Sequence, residues 1–187
     1  MKFTTLDLPG LIEIVPKKFS DDRGYFAESF RDDRFRAQAG AFDFVQDNQS
    51  LSIQAGTIRG LHFQKPPFAQ GKLVRCIAGS LFDVAVDLRA GSPGYGKWTG
   101  ATLSSDSGNQ LWIPPGFAHG FCTLEADTII SYKVTAYYSP ADDLGLAWDD
   151  PDIAVAWPAI ANPATLSMKD RSQAALRDLP PYFMFED

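Results

Sequence analysis

The chain has 187 residues, 45% of them hydrophobic and 13% aromatic, which suits one well-buried domain and is short for two. The 17 Lys and Arg against 23 Asp and Glu leave a net charge of −6, and a weakly acidic chain has no footprint for nucleic acid or an anionic membrane surface. An anionic ligand would need a local cluster of cations.

The opening stretch MKFTTLDLPGLIEIV has Asp7, Pro9, Gly10 and Glu13 where a secretory leader needs an unbroken apolar run, so a cytoplasmic protein is expected. Strands are expected over residues 12–16 and 24–30. Between 32 and 40, DDRFRAQAG reads as a short helix with an acidic start and a glycine stop. Further strands are expected over 46–52, 57–64, 73–78, 81–88, 96–103, 110–113, 120–124 and 128–135. A second helix is expected from 169 to about 177, ended by Pro180 and Pro181. The longest uncharged apolar stretch, around 111–124, is broken by Pro114 and Pro115, so no membrane span is expected.

The clearest strand is 81–88. Phe82, Val84, Val86 and Leu88 share one face as a packing surface, and Leu81, Asp83, Ala85 and Asp87 share the other. Gly79-Ser80 reads as a tight turn joining it to strand 73–78 in a hairpin. Many short strands punctuated by 15 glycines and 13 prolines indicate an all-β chain, a β-sandwich or jelly-roll barrel with a few short helices. No internal repeat or linker interrupts it, and residues 1–187 read as one domain.

There are two histidines, His62 and His119, in neither an HxH nor an HxxxH pair. A three-histidine metal centre therefore cannot be built from one chain, and no metal is expected. Cys76 and Cys122 form no CxxC motif and read as core residues of a reducing compartment. In GTIRGLHFQ, Arg59 and His62 are three residues apart and in a regular strand would face opposite ways. A bulge at Gly60 would bring both into one cavity, and glycine inside a strand is a common bulge marker. Otherwise Arg59 is a surface residue and His62 a core histidine. His119 leaves a Pro-Pro-Gly turn between Phe117 and Phe121, which also suits a structural histidine. Tyr132 shares a face with Ile130 and Val134, so it reads as core, with a hydroxyl that needs a partner and can act as an acid. Arg23 and Glu28 sit among Tyr25, Phe26 and Phe30. Gln46, Asp47 and Asn48 suit hydrogen bonding to a base or sugar, or a simple turn.

In order, the blocks DRGYFAE (22–28), QDN (46–48), RGLHFQ (59–64), QGKLVR (70–75), FDVAVD (82–87), PGFAHGF (115–121) and LSMKD (166–170) strongly resemble the dTDP-4-dehydrorhamnose 3,5-epimerases. The resemblance runs from about Leu8 to Asp170. It implies a cupin-like jelly roll, no metal or organic cofactor, and a homodimer that exchanges N-terminal strands. The implied substrate is dTDP-4-keto-6-deoxyglucose, inverted at the two carbons flanking its ketone. That chemistry needs a base, an acid and stabilisation of the enolate between them.

By that resemblance His62 is the base and Asp170 the carboxylate that orients it. Lys72 lies beside the enolate oxygen, and Tyr132 is the acid that reprotonates C5 from the opposite face. Arg23, Arg59, His119 and Lys169 serve the nucleotide and sugar, several of them at the diphosphate. Glu28, Gln46, Asp47 and Asn48 match sugar- and thymidine-contacting positions, and Tyr138 is a stacking surface for the base. With exchanged strands, Arg23 and Glu28 reach the partner subunit's pocket. Asp83 and Asp87 share a strand face, and one of them is expected to anchor Lys72. Asp143 stands where many relatives have glutamate, and the stretch from Asn48 to His62 is one residue longer than in some, so the loop at Gln54-Ala55 is expected to differ. The alternatives are an epimerase acting at one carbon, a silent jelly-roll sugar-binding module and, least, a metal-dependent dioxygenase of the same fold.

Overall fold

The computed structural model describes residues 1–185. The strands are β1 (Lys2–Thr5), β2 (Ile12–Val15), β3 (Lys18–Asp21), β4 (Gly24–Ala27), β5 (Gln46–Ser52), β6 (Ile58–Gln64), β7 (Lys72–Ala78), β8 (Ser80–Asp87), β9 (Arg89–Ala90), β10 (Trp98–Ser104), β11 (Gln110–Ile113), β12 (Phe117–Thr123), β13 (Thr128–Val134), β14 (Asp143–Gly145) and β15 (Phe183–Met184). The helices are α1 (Asp32–Ala39) and α2 (Met168–Arg171). One sheet has the order β1-β2-β11-β7-β13-β5 and the other β10-β8-β12-β6-β14. Both have free edges, so the domain is an open jelly-roll sandwich and not a closed barrel. No helix among the described residues is long and apolar enough to cross a membrane.

From β5 onward the chain crosses between the sheets at almost every connection, and this corrects the expected hairpin. β7 pairs with β11 and β13, whereas β8 pairs with β10 and β12. The Gly79-Ser80 turn therefore switches sheets. Gly79 makes the corner at φ +75, and a Cβ there would lie 2.6 Å from the Thr128 hydroxyl.

The core between the sheets joins Val74, Cys76, Leu111, Ile113 and Ile130 of one layer to Leu81, Ala85, Leu103, Phe117 and Phe121 of the other. The outer face of the six-stranded sheet is also covered. Phe35 of α1 packs edge-on against Trp112, at 5.0 Å between ring centroids, with Phe30, Phe42 and Phe44 around them. On the other sheet, Val84 and Val86 pack outward against Ile153, Leu176 and Phe183 of the C-terminal segment. Strand 81–88 is thus buried on both faces, with Asp83 and Asp87 fully inside. Buried charges need partners, and each has its own. Asp83 accepts from His119, and Asp87 accepts from Arg89 and Ser92.

Other expectations shift at the ends. The strand expected over 24–30 is only β4, which pairs with β3 in a small hairpin outside both sheets. The second helix is limited to α2, followed by a 3-10 turn at Leu176–Asp178. Cys76 and Cys122 are buried free thiols.

Candidate active site

At one end of the sandwich, inward positions of β6, β7, β12 and β13 meet the segment that carries α2. They enclose a cavity of about 260 Å³ lined by Arg59, His62, Lys72, His119, Tyr132, Lys169 and Asp170. A second cavity of about 300 Å³ shares His62, Lys72 and Tyr132 and adds Gln46, Asn48, Tyr138 and Asp143. Eleven of the fourteen residues singled out from the sequence come together here.

Arg59 and His62 share the cavity because β6 is irregular. His62 is opposite His119 and Arg59 is opposite Phe121, so β6 carries one residue more than β12 between those pairs. Gly60 absorbs the difference at φ +112. A Cβ on it would lie 2.6 Å from Gly120 Cα and 2.8 Å from the His119 carbonyl oxygen, so only glycine fits. Arg59 is held at the rim, donating from Nε to Ser52 Oγ at 3.2 Å and from Nη2 to the Leu51 carbonyl at 3.1 Å.

Asp170 reaches the cavity from α2. Ser167 caps that helix, its hydroxyl accepting from the Asp170 amide at 3.1 Å. Arg171 ties the turn back by donating to the Leu166 and Ala164 carbonyls. Leu166 itself is anchored beside Ile58 and Cys122. The result is a His62 Nε2 to Asp170 Oδ1 contact of 2.5 Å, with the carboxylate almost fully buried and a third of the imidazole open. Burial raises the Asp170 carboxyl, but hydrogen bonds and charge from His62, together with the Ser167 bonds, outweigh it and hold the group below its ordinary value. An ionised Asp170 can only accept, so Nε2 carries the proton of this bond and Nδ1 is the ring nitrogen left outside it.

Lys72 is buried, and its ammonium donates to the His62 carbonyl at 3.4 Å. Burial lowers its pKa from 10.5 to about 8, against the opposing charges of Asp143 and Asp83 and with the help of Lys169. Tyr132 approaches from the facing sheet, and burial raises its phenol above the usual value. His119 is buried beside Asp83, with Nε2 3.1 and 2.9 Å from the two carboxylate oxygens. Burial lowers its pKa, opposed by Asp83 and reinforced by Lys72 and His62. At the mouth, Asp143 accepts from the Tyr138 hydroxyl at 2.9 Å and from Lys169 Nζ at 2.5 Å. Gln46 accepts from the Tyr138 amide at 3.1 Å and donates to Asn48 Oδ1 at 2.7 Å.

Three expected residues stand elsewhere in this chain. Alternation along β5 turns Gln46 and Asn48 inward and Asp47 outward, where Lys133 pairs with it at 3.0 Å. Arg23 sits at the tip of the β3–β4 hairpin and pairs with Asp21, and Glu28 lies beyond β4 near Arg31. The expected anchor for Lys72 also differs. Asp83 contributes charge to it but spends both oxygens on His119, and Asp87 serves Arg89 instead. Sequence reasoning missed Gln64, which is buried and clamps the Tyr138 loop. It donates to the Phe68 and Tyr137 carbonyls and accepts from the Ser139 amide. Ser167 was visible as the S-x-x-D spacing of a helix start. Among the described residues, no group of three or more His, Cys, Asp or Glu side chains is arranged to hold a metal.

The family model described as dTDP-4-dehydrorhamnose 3,5-epimerase matches residues 5–178. The chain belongs to that family. It is 58% identical over 185 residues to a dTDP-4-dehydrorhamnose 3,5-epimerase of Sinorhizobium fredii, covering 99% of this chain and 94% of that one. Among solved structures it resembles the dTDP-6-deoxy-D-glucose-3,5-epimerase of Legionella pneumophila in complex with dTDP-4-keto-L-rhamnose. That match has a TM-score of 0.92 at 40% identity and covers 100% and 99% of the two chains. A 3'-monoepimerase from Streptomyces bikiniensis in complex with dTDP-quinovose is also similar, with a TM-score of 0.85 at 32% identity, covering 92% and 86%. These two structural neighbours are named a 3,5-epimerase and a 3'-monoepimerase, on the same sandwich.

Proposed function

We propose that the cavity around His62 inverts C3 and C5 of dTDP-4-keto-6-deoxy-D-glucose, giving dTDP-4-keto-L-rhamnose by proton removal and return beside the ketone. The activity follows from family membership, and the roles rest on one observation: His62 with its Asp170 partner shares a cavity with buried Lys72 and Tyr132. His62 Nδ1 removes the proton at C3 or C5, and Asp170 supports the imidazolium that results. The Lys72 ammonium is beside the C4 oxygen as it becomes an enolate. Tyr132, on the facing sheet, delivers its phenolic proton to C5 from the other side, whereas C3 takes its proton from solvent on the face opposite His62. Solvent then reprotonates the tyrosinate and takes up the proton left on His62. The raised pKa of Tyr132 keeps the phenol protonated through neutral pH.

Arg59, Lys169 and Tyr138 line the mouth and supply the cations and aromatic surface that a nucleoside diphosphate requires. Arg23 and Glu28 serve the site of a partner subunit through exchanged N-terminal strands. The β3–β4 hairpin supports this, being outside both sheets with Phe26 71% exposed and Phe19 and Tyr25 more than half exposed. The unpaired thiols support a reducing, cytoplasmic setting.

The test is proton exchange in D₂O with dTDP-4-keto-6-deoxyglucose, followed by NMR at C3 and C5. Deuterium is expected at both carbons with wild-type protein and at neither with His62→Ala, which retains nucleotide binding. Deuterium at C3 alone would assign the one-carbon reaction, and normal turnover by His62→Ala would remove His62 as the base.

A further inference from the structure

Asp83, His119, His62 and Asp170 form a row across the inner face of the five-stranded sheet. β8 carries Asp83, the neighbouring β12 carries His119, and β6 carries His62 directly opposite His119 in the strand register. Asp170 closes the row from α2. One end is the imidazole–carboxylate pair already assigned to proton transfer. The other is a second such pair, buried more deeply, in a cavity whose floor also holds Lys72.

The two pairs differ in one chemical respect. His62 is a third open and must cycle through the imidazolium form, whereas His119 is buried next to an ammonium and across from the other histidine. A second positive charge at His119 would accumulate against Lys72 and against His62 when it holds the substrate proton. Asp83 receives Nε2–H with both oxygens, which fixes that proton on the side away from the other ring nitrogen. Nδ1 of His119 has no protein partner among the described residues, and the ring lines the cavity.

We infer that Asp83 is a positioning residue that holds His119 as the neutral Nε2–H tautomer, so that His119 Nδ1 accepts a hydrogen bond from a hydroxyl of the bound sugar. The inference rests on the assignment of this cavity as the epimerase site. It gives His119 a role different from that of a diphosphate-binding cation. A neutral acceptor recognises a hydroxyl donor and is repelled by a phosphate oxygen, which can only accept. It also explains a fully buried carboxylate in the middle of an apolar strand. Without Asp83 the Nε2 proton would face Leu81, Ala85 and Phe121 of the same inner face with no acceptor, and would move to Nδ1.

Because the chain has two histidines, the state of His119 can be read directly in protein labelled with ¹⁵N-histidine. Long-range ¹⁵N–¹H spectra distinguish the two tautomers and the imidazolium, and the His62→Ala spectrum identifies the remaining ring as His119. His119 is expected to be the neutral Nε2–H form at pH 7.5 to 8.5, whereas Asp83→Leu, which keeps the branched shape, is expected to give the Nδ1–H form. In that pH range the variant should raise KM for the keto sugar and lower kcat/KM by roughly 10- to 100-fold, the range for one lost hydrogen bond at a buried site. Because Asp83 also supports the Lys72 ammonium, a loss in kcat is expected beside the rise in KM, and the tautomer of His119, which a change at Lys72 alone would not move, decides the inference. An imidazolium or an Nδ1–H tautomer at His119 in the wild type would overturn the inference, as would an Asp83→Leu variant with unchanged tautomer and KM. The wild-type spectrum decides the tautomer even where the variant does not fold. If the cavity were not the epimerase site, the tautomer would stand as described while His62→Ala left exchange intact, so the two failures are separable.

Discussion

Replacing Lys72 by methionine is expected to abolish most activity while removing a cost to stability that depends on pH in a defined way. Burial lowers the ammonium from 10.5 to about 8, so holding it charged in the folded state costs about 3 kcal/mol, at about 1.4 kcal/mol per unit. The sign follows from proton counting. Below about pH 8 the lysine is charged in both folded and unfolded chains, and the whole cost is present. Between about 8 and 10.5 the folded chain has lost the proton while the unfolded chain still binds it, so the cost shrinks as pH rises. Methionine has no such dependence and preserves the length of the side chain. The stability of Lys72→Met minus that of the wild type should therefore fall by about 2 to 3 kcal/mol between pH 7 and 10. Urea denaturation followed by circular dichroism, at steps of one pH unit, measures this difference. The same variant should lose roughly 10²–10³ in kcat, the usual consequence of removing one group that stabilises an oxyanion. A stability difference that stays constant from pH 7 to 10 would refute the picture of a buried ammonium. Full activity would refute its place beside the enolate.

Tyr132→Phe should impair inversion at C5 more than deuterium exchange at C3, read by NMR in D₂O; equal loss at both carbons would remove the division of labour between His62 and Tyr132. Asp170→Asn should lower kcat/KM by roughly 10²–10⁴-fold by freeing the His62 ring from its fixed orientation. It should also destabilise the chain near neutrality. Because the Asp170 carboxyl is held below its ordinary 3.8, its contribution is present above that pH and is lost as pH falls through the folded value, so the gap to the wild type should close in acid. Gly60→Ala should cost roughly 3 kcal/mol or more in urea midpoint measurements, because a positive φ coincides with a Cβ 2.6 Å from Gly120 Cα. A change below about 1 kcal/mol would mean that the β6 irregularity is not enforced at Gly60.

The sandwich was legible because inter-strand punctuation and alternation are local signals, and strands 46–52 and 128–135 coincide almost fully with β5 and β13. What local signals do not encode is which sheet a strand joins. Gly79-Ser80 has the chemistry of a hairpin turn, yet β7 finds its partners in β11 and β13, which lie far along the chain. The Phe82, Val84, Val86 and Leu88 face of β8 was legible as a packing surface, but what covers it was not. Its cover comes from Ile153, Leu176 and Phe183, which follow β8 by more than 60 residues, and local patterns do not say where so distant a segment returns. Asp47 illustrates the opposite case. The period of two along β5 was already present in the sequence and separates Asp47 from Gln46 and Asn48, although the three read as one polar block. The Gly60 irregularity was legible as one of two readings, and the pairing of Arg59 with Phe121 and His62 with His119 selects between them.

The way charge is distributed in the cavity also explains why the fold suits proton transfer next to a carbonyl. In the proposed reaction Lys72 must stay charged to meet an enolate, yet burial works against that charge. Asp143 and Asp83 support it from the mouth and from the floor, while Lys169 opposes it. Each supporting carboxylate is also held by another cation or ring: Asp143 by Lys169 and the Tyr138 hydroxyl, Asp83 by His119. Neither is therefore free to collapse onto Lys72 as a direct ion pair, which would neutralise the field the enolate needs. The ammonium instead makes a long contact to the His62 backbone carbonyl. It is left polarised and incompletely satisfied, so an oxyanion formed beside it gains more than a neutral ketone does. That difference between enolate and ketone is what would accelerate the proposed reaction.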